Sequence, residues 1–198
     1  MPRTEYVHGI PELKGTGKMT QEMYLTYYCY PGCEPLKNIM RLPENEAFAL
    51  AEKLWKEHPD TTAFYRFGDF ENYYPRRLRT DALLYERFCA LGGQPEDTHP
   101  LSFVLDESDY LYHWFSEGKP VRIPLDSIRE EVISFTPGDS MSTLDHEGDI
   151  TLLTLPMLKA EAKKHGGIMG YLQHVRKQYH YMEVQVWGNV CLPEGEAK

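Results

Sequence analysis

Apolar residues along this chain recur with two periods, and the alternation of those periods sets out a series of short elements. Residues 23–30, Met-Tyr-Leu-Thr-Tyr-Tyr-Cys-Tyr, are dense in aromatics and predict a strand. A helix follows over 43–57. Pro43 opens it, Glu44 and Glu46 suit its positive end, and His58-Pro59 closes it. Ala47, Phe48, Ala51, Leu54 and Trp55 share its inner face. Residues 61–67 predict a strand and 68–78 a long connection. Thr80 then caps a helix over 81–91, striped by Leu84, Phe88 and Leu91 and ended by Gly92-Gly93.

Farther on, 100–105 predicts a strand and 108–116 a helix with Leu111, Trp114 and Phe115 inward. Residues 121–125, 132–135 and 150–154 predict short strands, with Pro137-Gly138-Asp139-Ser140 as a turn. Helices are expected over 156–165 and 168–179, parted by Gly166-Gly167. The last element, 180–187, alternates cleanly. Met182, Val184 and Val186 point one way, and Tyr181, Glu183, Gln185 and Trp187 the other.

Strands and helices follow one another without a strict βαβ rhythm. The expected fold class is therefore α+β: a single domain over 21–190 with a mixed, mostly antiparallel sheet of short strands and four or five helices. Residues 1–20 read as a loose arm and 191–198 as a tail. The 198 residues are 41% hydrophobic and 26% charged, an ordinary globular balance. No apolar run is long enough for a transmembrane helix, so no membrane partner is expected. Residues 1–20 show no apolar signal-peptide core, which suggests a cytoplasmic location. The net charge of −9 argues against general nucleic-acid binding.

Several familiar chemistries are missing from the sequence. Cys29 and Cys33 would supply at most two ligands of a zinc site, and no His or Cys pair nearby completes it, so no metal is expected. Neither a dinucleotide-binding glycine fingerprint nor a Walker loop is present. Gly138-Asp139-Ser140 matches the nucleophile block of the GDS-type esterases, but no Asp-x-x-His follows it to supply a base.

Two places remain suggestive. Residues 65–79 hold Arg66, Arg76, Arg77 and Arg79 against Asp69 and Glu71, a local excess of positive charge in an acidic chain. Guanidinium forks suit phosphates and carboxylates, and the interleaved Tyr and Phe offer stacking surfaces. Pairing of these arginines with the protein's own acids is the plainer account of the same cluster. Glu183 shares its strand face with Tyr181 and Trp187, which fits either a cleft wall or the wet face of an edge strand. His99, opening a strand, is a candidate base or ribose donor, or simply a residue that holds a loop.

Arg66 on an early strand, Ser102 on a middle strand and Glu183 on a late strand follow one another in an order that resembles the mono-ADP-ribosyltransferase fold. The resemblance covers roughly residues 60–190. It lacks a Ser-Thr-Ser triplet, and its acidic motif reads Glu183-Val184-Gln185. It implies NAD as substrate, Arg66 on the diphosphate, Tyr65 or Tyr181 stacked on a ring, His99 and Ser102 near the bound nucleotide, and Glu183 as the catalytic carboxylate beside the reacting ribose. The alternative is a non-catalytic protein that holds an anionic small molecule, peptide or partner chain, to which the fourteen tyrosines lend amphipathic surface. The two readings divide on one point: whether Glu183 and Arg66 share a cleft.

Overall fold

The computed structural model describes residues 22–191, so the expected arm over 1–20 and all but the first residue of the expected tail lie outside it. One six-stranded sheet organises the fold, with strand order β3-β1-β2-β6-β4-β5. Its strands are β1 (Tyr24–Tyr27), β2 (Leu101–Leu105), β3 (Val121–Pro124), β4 (Ile133–Pro137), β5 (Leu153–Thr154) and β6 (Met182–Val186). Every pairing between them is antiparallel. The described residues also form six α-helices: α1 (Glu44–Glu57), α2 (Phe70–Ala90), α3 (Asp109–Trp114), α4 (Ser140–Glu147), α5 (Leu155–Lys163) and α6 (Ile168–Val175). The α+β class holds.

Period-two alternation gives the sheet two unlike faces. One face is apolar. Leu25, Phe103, Ile133, Phe135, Met182, Val184 and Val186 meet Leu158, Ala162, Leu172 and Val175 from α5 and α6 in the main core. The other face is polar. Register places Thr26, Val104, Glu183 and Thr136 side by side across four strands, with Ser102, Gln185, Ser134 and Thr154 in the next row. Burying such groups without partners is costly, so this face needs its own hydrogen bonds. Ser134 Oγ donates to Gln185 Oε1 at 2.9 Å, Gln185 Nε2 donates to Thr136 Oγ1 at 3.1 Å, and Trp187 Nε1 donates to Ser134 Oγ at 2.9 Å. Trp187 also stacks on Phe88 of α2, closing a second cluster with Leu84, Ile150 and Leu152.

The structure corrects the expected strand over 61–67 and the loop after it. Thr62–Asp69 is a 3-10 helix, with Thr61 Oγ1 accepting from the Ala63 N–H, and it runs directly into the 21-residue α2. The cause is a spacing of three rather than two. Phe64, Phe67, Phe70 and Tyr73 follow one another in ring contact, with centroids 5.6, 5.4 and 5.9 Å apart, the first pair stacked and the second edge-on, as a helix close to three residues per turn places them. Phe67, Phe70 and Tyr73 pack with Ala47, Phe48 and Ala51 of α1. Gly68 lets the 3-10 helix approach α1, because a Cβ there would stand 2.9 Å from the Trp55 ring. Residues 138–140, expected as a turn, lead into α4. Asp139 caps that helix through the Ser142 N–H at 2.7 Å, and Gly148, at φ +75°, ends it.

Candidate functional site

The polar half of the sheet is only partly covered by side-chain contacts. Between it and the layer of α1, the 3-10 helix, α2, α3 and the start of α4 lies a cavity of about 910 Å³. That volume is in the range of small-molecule sites. Thr26, Ser102, Val104 and Glu183 form its floor, and Tyr65, Arg66, Tyr73 and Arg77 face them from the helical layer.

The expected site residues divide as follows. Tyr65, Arg66, Ser102, Tyr181 and Glu183 all line this one cavity. His99 does not; it stands behind the cavity wall. Its Nδ1 lies 2.7 Å from Asp81 Oδ2, and its carbonyl accepts from Arg41 Nε at 2.7 Å. His99 therefore stands apart from the other expected site residues, in contact with Asp81 and Arg41. Arg66 also changes its setting, reaching the cavity from the 3-10 helix and not from a strand. Of the other arginines, Arg76 pairs with Asp145 on the exposed side of α2, whereas Arg77 turns inward and is buried.

Arg66 Nε donates to Tyr65 Oη at 3.0 Å, and its guanidinium sits 5.7 Å from the ring centroids of both Tyr65 and Tyr73. Aromatic neighbours orient a guanidinium without neutralising it. Burial works to lower the Arg66 pKa, but the Tyr65 hydrogen bond and Asp139 outweigh it, and the net movement is upward. Exposed Tyr65 meets Trp114 edge-on, and Tyr110 stacks on His180 with centroids 4.5 Å apart, so aromatic rings rim the opening.

Glu183 lies buried on the cavity floor. The edge-strand account of its face fails, because β6 is central, between β2 and β4, and Glu183 is only 4% exposed. Its Oε2 accepts the Ser140 N–H at 2.7 Å, at the N-terminus of α4. Burial, then Asp139, push its pKa upward, while Arg77 and the Ser140 hydrogen bond oppose them. Asp139 also faces Tyr181, whose hydroxyl lies 3.4 Å from Asp139 Oδ2. Burial first and Asp139 second raise the Tyr181 pKa well above the ordinary phenol value, keeping it a neutral hydrogen-bond donor. Ser140 Oγ is buried and has no partner among the described residues.

Tyr73, Asp139 and Tyr110 belong to this cavity and were not singled out from the sequence as site residues, and Arg77 joins it from the arginine cluster. Asp139 carried a legible signal, since a capping Asp followed nine residues later by a terminating Gly brackets a helix. Which arginine of the cluster turns inward was not legible until α2 was known to begin at Phe70, because a helix sends Arg76 and Arg77 to different sides. Among the described residues, no group of three or more His, Cys, Asp or Glu is arranged to hold a metal ion, and no helix is long and apolar enough to cross a membrane.

The arrangement is an open, aromatic-rimmed cavity with guanidinium groups on one wall and a buried carboxyl on the floor. No family model matches the chain, and no curated protein or solved structure does.

Proposed function

We propose that the protein binds a nucleotide-type small molecule in this cavity, with NAD the leading candidate, and that Glu183 acts on the bound ribose as in ADP-ribosyl transfer. The observation that carries the reading is the shared cavity: Arg66 and Glu183, 117 positions apart in the chain, line the same chamber. Arg66 suits the anionic diphosphate, and Tyr65 and Tyr181 offer ring faces. In the reaction, the bond between the nicotinamide nitrogen and ribose C1′ breaks, and nicotinamide leaves with the electron pair. Positive charge builds on the sugar, where a carboxylate stabilises it. Water or an acceptor group then bonds to C1′ and loses a proton. A cytoplasmic setting accords with this reading, since NAD is abundant there and the four cysteines are free thiols.

One observation favours a second reading, non-catalytic binding of an anionic small molecule or peptide. Glu183 already accepts the Ser140 N–H, as a carboxyl with a purely structural role would.

A thermal-shift series with NAD, ADP-ribose, ATP, pyrophosphate and nicotinamide separates the readings. A ligand present at 100 times its dissociation constant adds about 2.7 kcal/mol of stability. NAD and ADP-ribose are expected to stabilise the protein, and Arg66→Ala to abolish the shift. Glu183→Gln is expected to stop nicotinamide release from NAD while leaving NAD affinity nearly unchanged. Binding without release in the native protein selects the second reading, and silence across the series sinks the nucleotide assignment.

A further inference from the structure

The cavity floor runs across β1, β2 and β6, a width of about 10 Å at the usual strand spacing. Its two sides differ in chemistry. Asp139, His146 and Glu147 stand on or beside α4, and Glu183 on β6. On the β1 side the walls are Ile39–Arg41, a short 3-10 turn, together with α1 and the start of the 3-10 helix at Thr62–Asp69. Met40, Leu50, Leu54 and Phe64 line the cavity from these elements. All four are buried or half-buried, yet none joins any packed apolar cluster among the described residues. Tyr30 continues this wall, its ring centroid 5.1 Å from that of Phe64.

The polar groups on this side are already engaged. Thr26 Oγ1 donates to the Asp106 carbonyl, and Tyr27 Oη donates to the Lys37 carbonyl at 2.7 Å. Asn38 Nδ2 donates to the Pro100 carbonyl at 2.7 Å, and its Oδ1 accepts the Met40 N–H at 2.9 Å. Lys37 Nζ and Glu34 Oε1, the charged groups here, pair with each other at 3.2 Å. That leaves the Tyr30 hydroxyl and the Cys29 and Cys33 thiols. Burial pushes both thiols up, and Cys33 adds to the effect on Cys29, so they are neutral at physiological pH. A charged ligand group would find no unpaired opposite charge on this side and would give up its water without replacing it. A hydrocarbon group carries no such penalty, and it covers carbon that no neighbouring cluster covers.

We infer that the β1 side of the cavity is a separate subsite for an uncharged hydrocarbon group, the apolar end of a small molecule, held by Met40, Leu50, Leu54 and Phe64. The subsite goes beyond the nucleotide reading: β2 stands between β1 and the strand that carries Glu183, and no part of NAD is needed to fill it.

The test is a fluorescence titration of the full chain with N-phenyl-1-naphthylamine, an uncharged probe that brightens in apolar surroundings. Saturable uptake at a single site is expected. Straight-chain alcohols from 1-butanol to 1-decanol are expected to displace the probe, each added CH2 tightening displacement about fourfold until the chain outgrows the subsite. Leu54→Glu and Leu50→Glu set a carboxylate among these carbons, and each is expected to weaken probe binding by about tenfold or more. Met157→Glu, at an exposed apolar position on α5 across the sheet, is expected to leave it unchanged. Absence of saturable uptake by the native protein overturns the inference, as does uptake that both folded leucine variants leave unchanged or that Met157→Glu weakens as much. Octanoate or octylammonium displacing the probe more strongly than 1-octanol overturns the uncharged assignment. Where neither glutamate variant folds, Leu54→Ala takes their place, and an unchanged probe affinity there overturns the inference. A protein that takes up the probe and ignores NAD and ADP-ribose rejects the nucleotide and leaves the subsite standing; the reverse result rejects the subsite alone.

Discussion

Glu183 shows how one side chain couples the site to stability. Its pKa is raised in the folded protein, by burial and then by Asp139. A carboxyl with a raised folded-state pKa holds its proton longer when folded than when unfolded. Stability therefore falls as pH rises from the ordinary glutamate value through the raised one, and is level beyond it. Glu183→Gln removes this dependence. Urea denaturation from mildly acidic to neutral pH is expected to show the native protein losing ground against Glu183→Gln as pH rises. A constant difference across that interval would contradict the raised pKa. Trp187 makes the corresponding point for packing. It is fully buried, stacks on Phe88 and donates to Ser134 Oγ. Trp187→Ala is expected to cost about 3–5 kcal/mol, read from the same denaturation curves.

Among the elements, α2 decides most. It carries Tyr73 and Arg77 to the cavity, Asp81 toward His99, and Leu84 and Phe88 to Trp187. Pro75 lies within its second turn, a position that suggests a loop in the sequence because proline lacks the N–H for the helical ladder. The aromatic contacts of Phe67, Phe70 and Tyr73, packed with α1, offset that loss. Pro75 is exposed, so its replacement touches little else. Pro75→Ala is expected to stabilise the protein by about 1–3 kcal/mol by restoring the ladder. In a loop the same change would bring no gain, so the melting temperature distinguishes the two. The helix over 81–91 was legible from its stripe and its terminal glycines, but its first eleven residues were not. Proline and three arginines hid an aromatic period of three.

Across the whole molecule, the sheet divides the labour between its faces. The α5 and α6 side supplies an apolar core, and the opposite side gives up apolar packing for a buried polar floor and a cavity. Covering a polar face with a second helical layer is how α+β domains commonly place a site on a rigid support. The alternation of residues 180–187 and the strand at 100–105 were plain in the sequence, and so were most helix positions, because each depends on local periodicity. Which strands neighbour β6 was not, and that alone turned Glu183 from a surface residue into a buried one.

The sequence by itself determined the α+β class, the two-faced last strand, the caps of α1 and the residues that carry charge and aromatic surface, since all of these follow from side-chain type and spacing within a few residues. Tertiary structure alone decided that β6 is central, that Arg66 and Glu183 share a cavity, and that His99 meets Asp81 and Arg41 outside it. Those facts depend on contacts between residues tens of positions apart, and the burial that shifts a pKa or leaves a cavity exists only once the layers have closed.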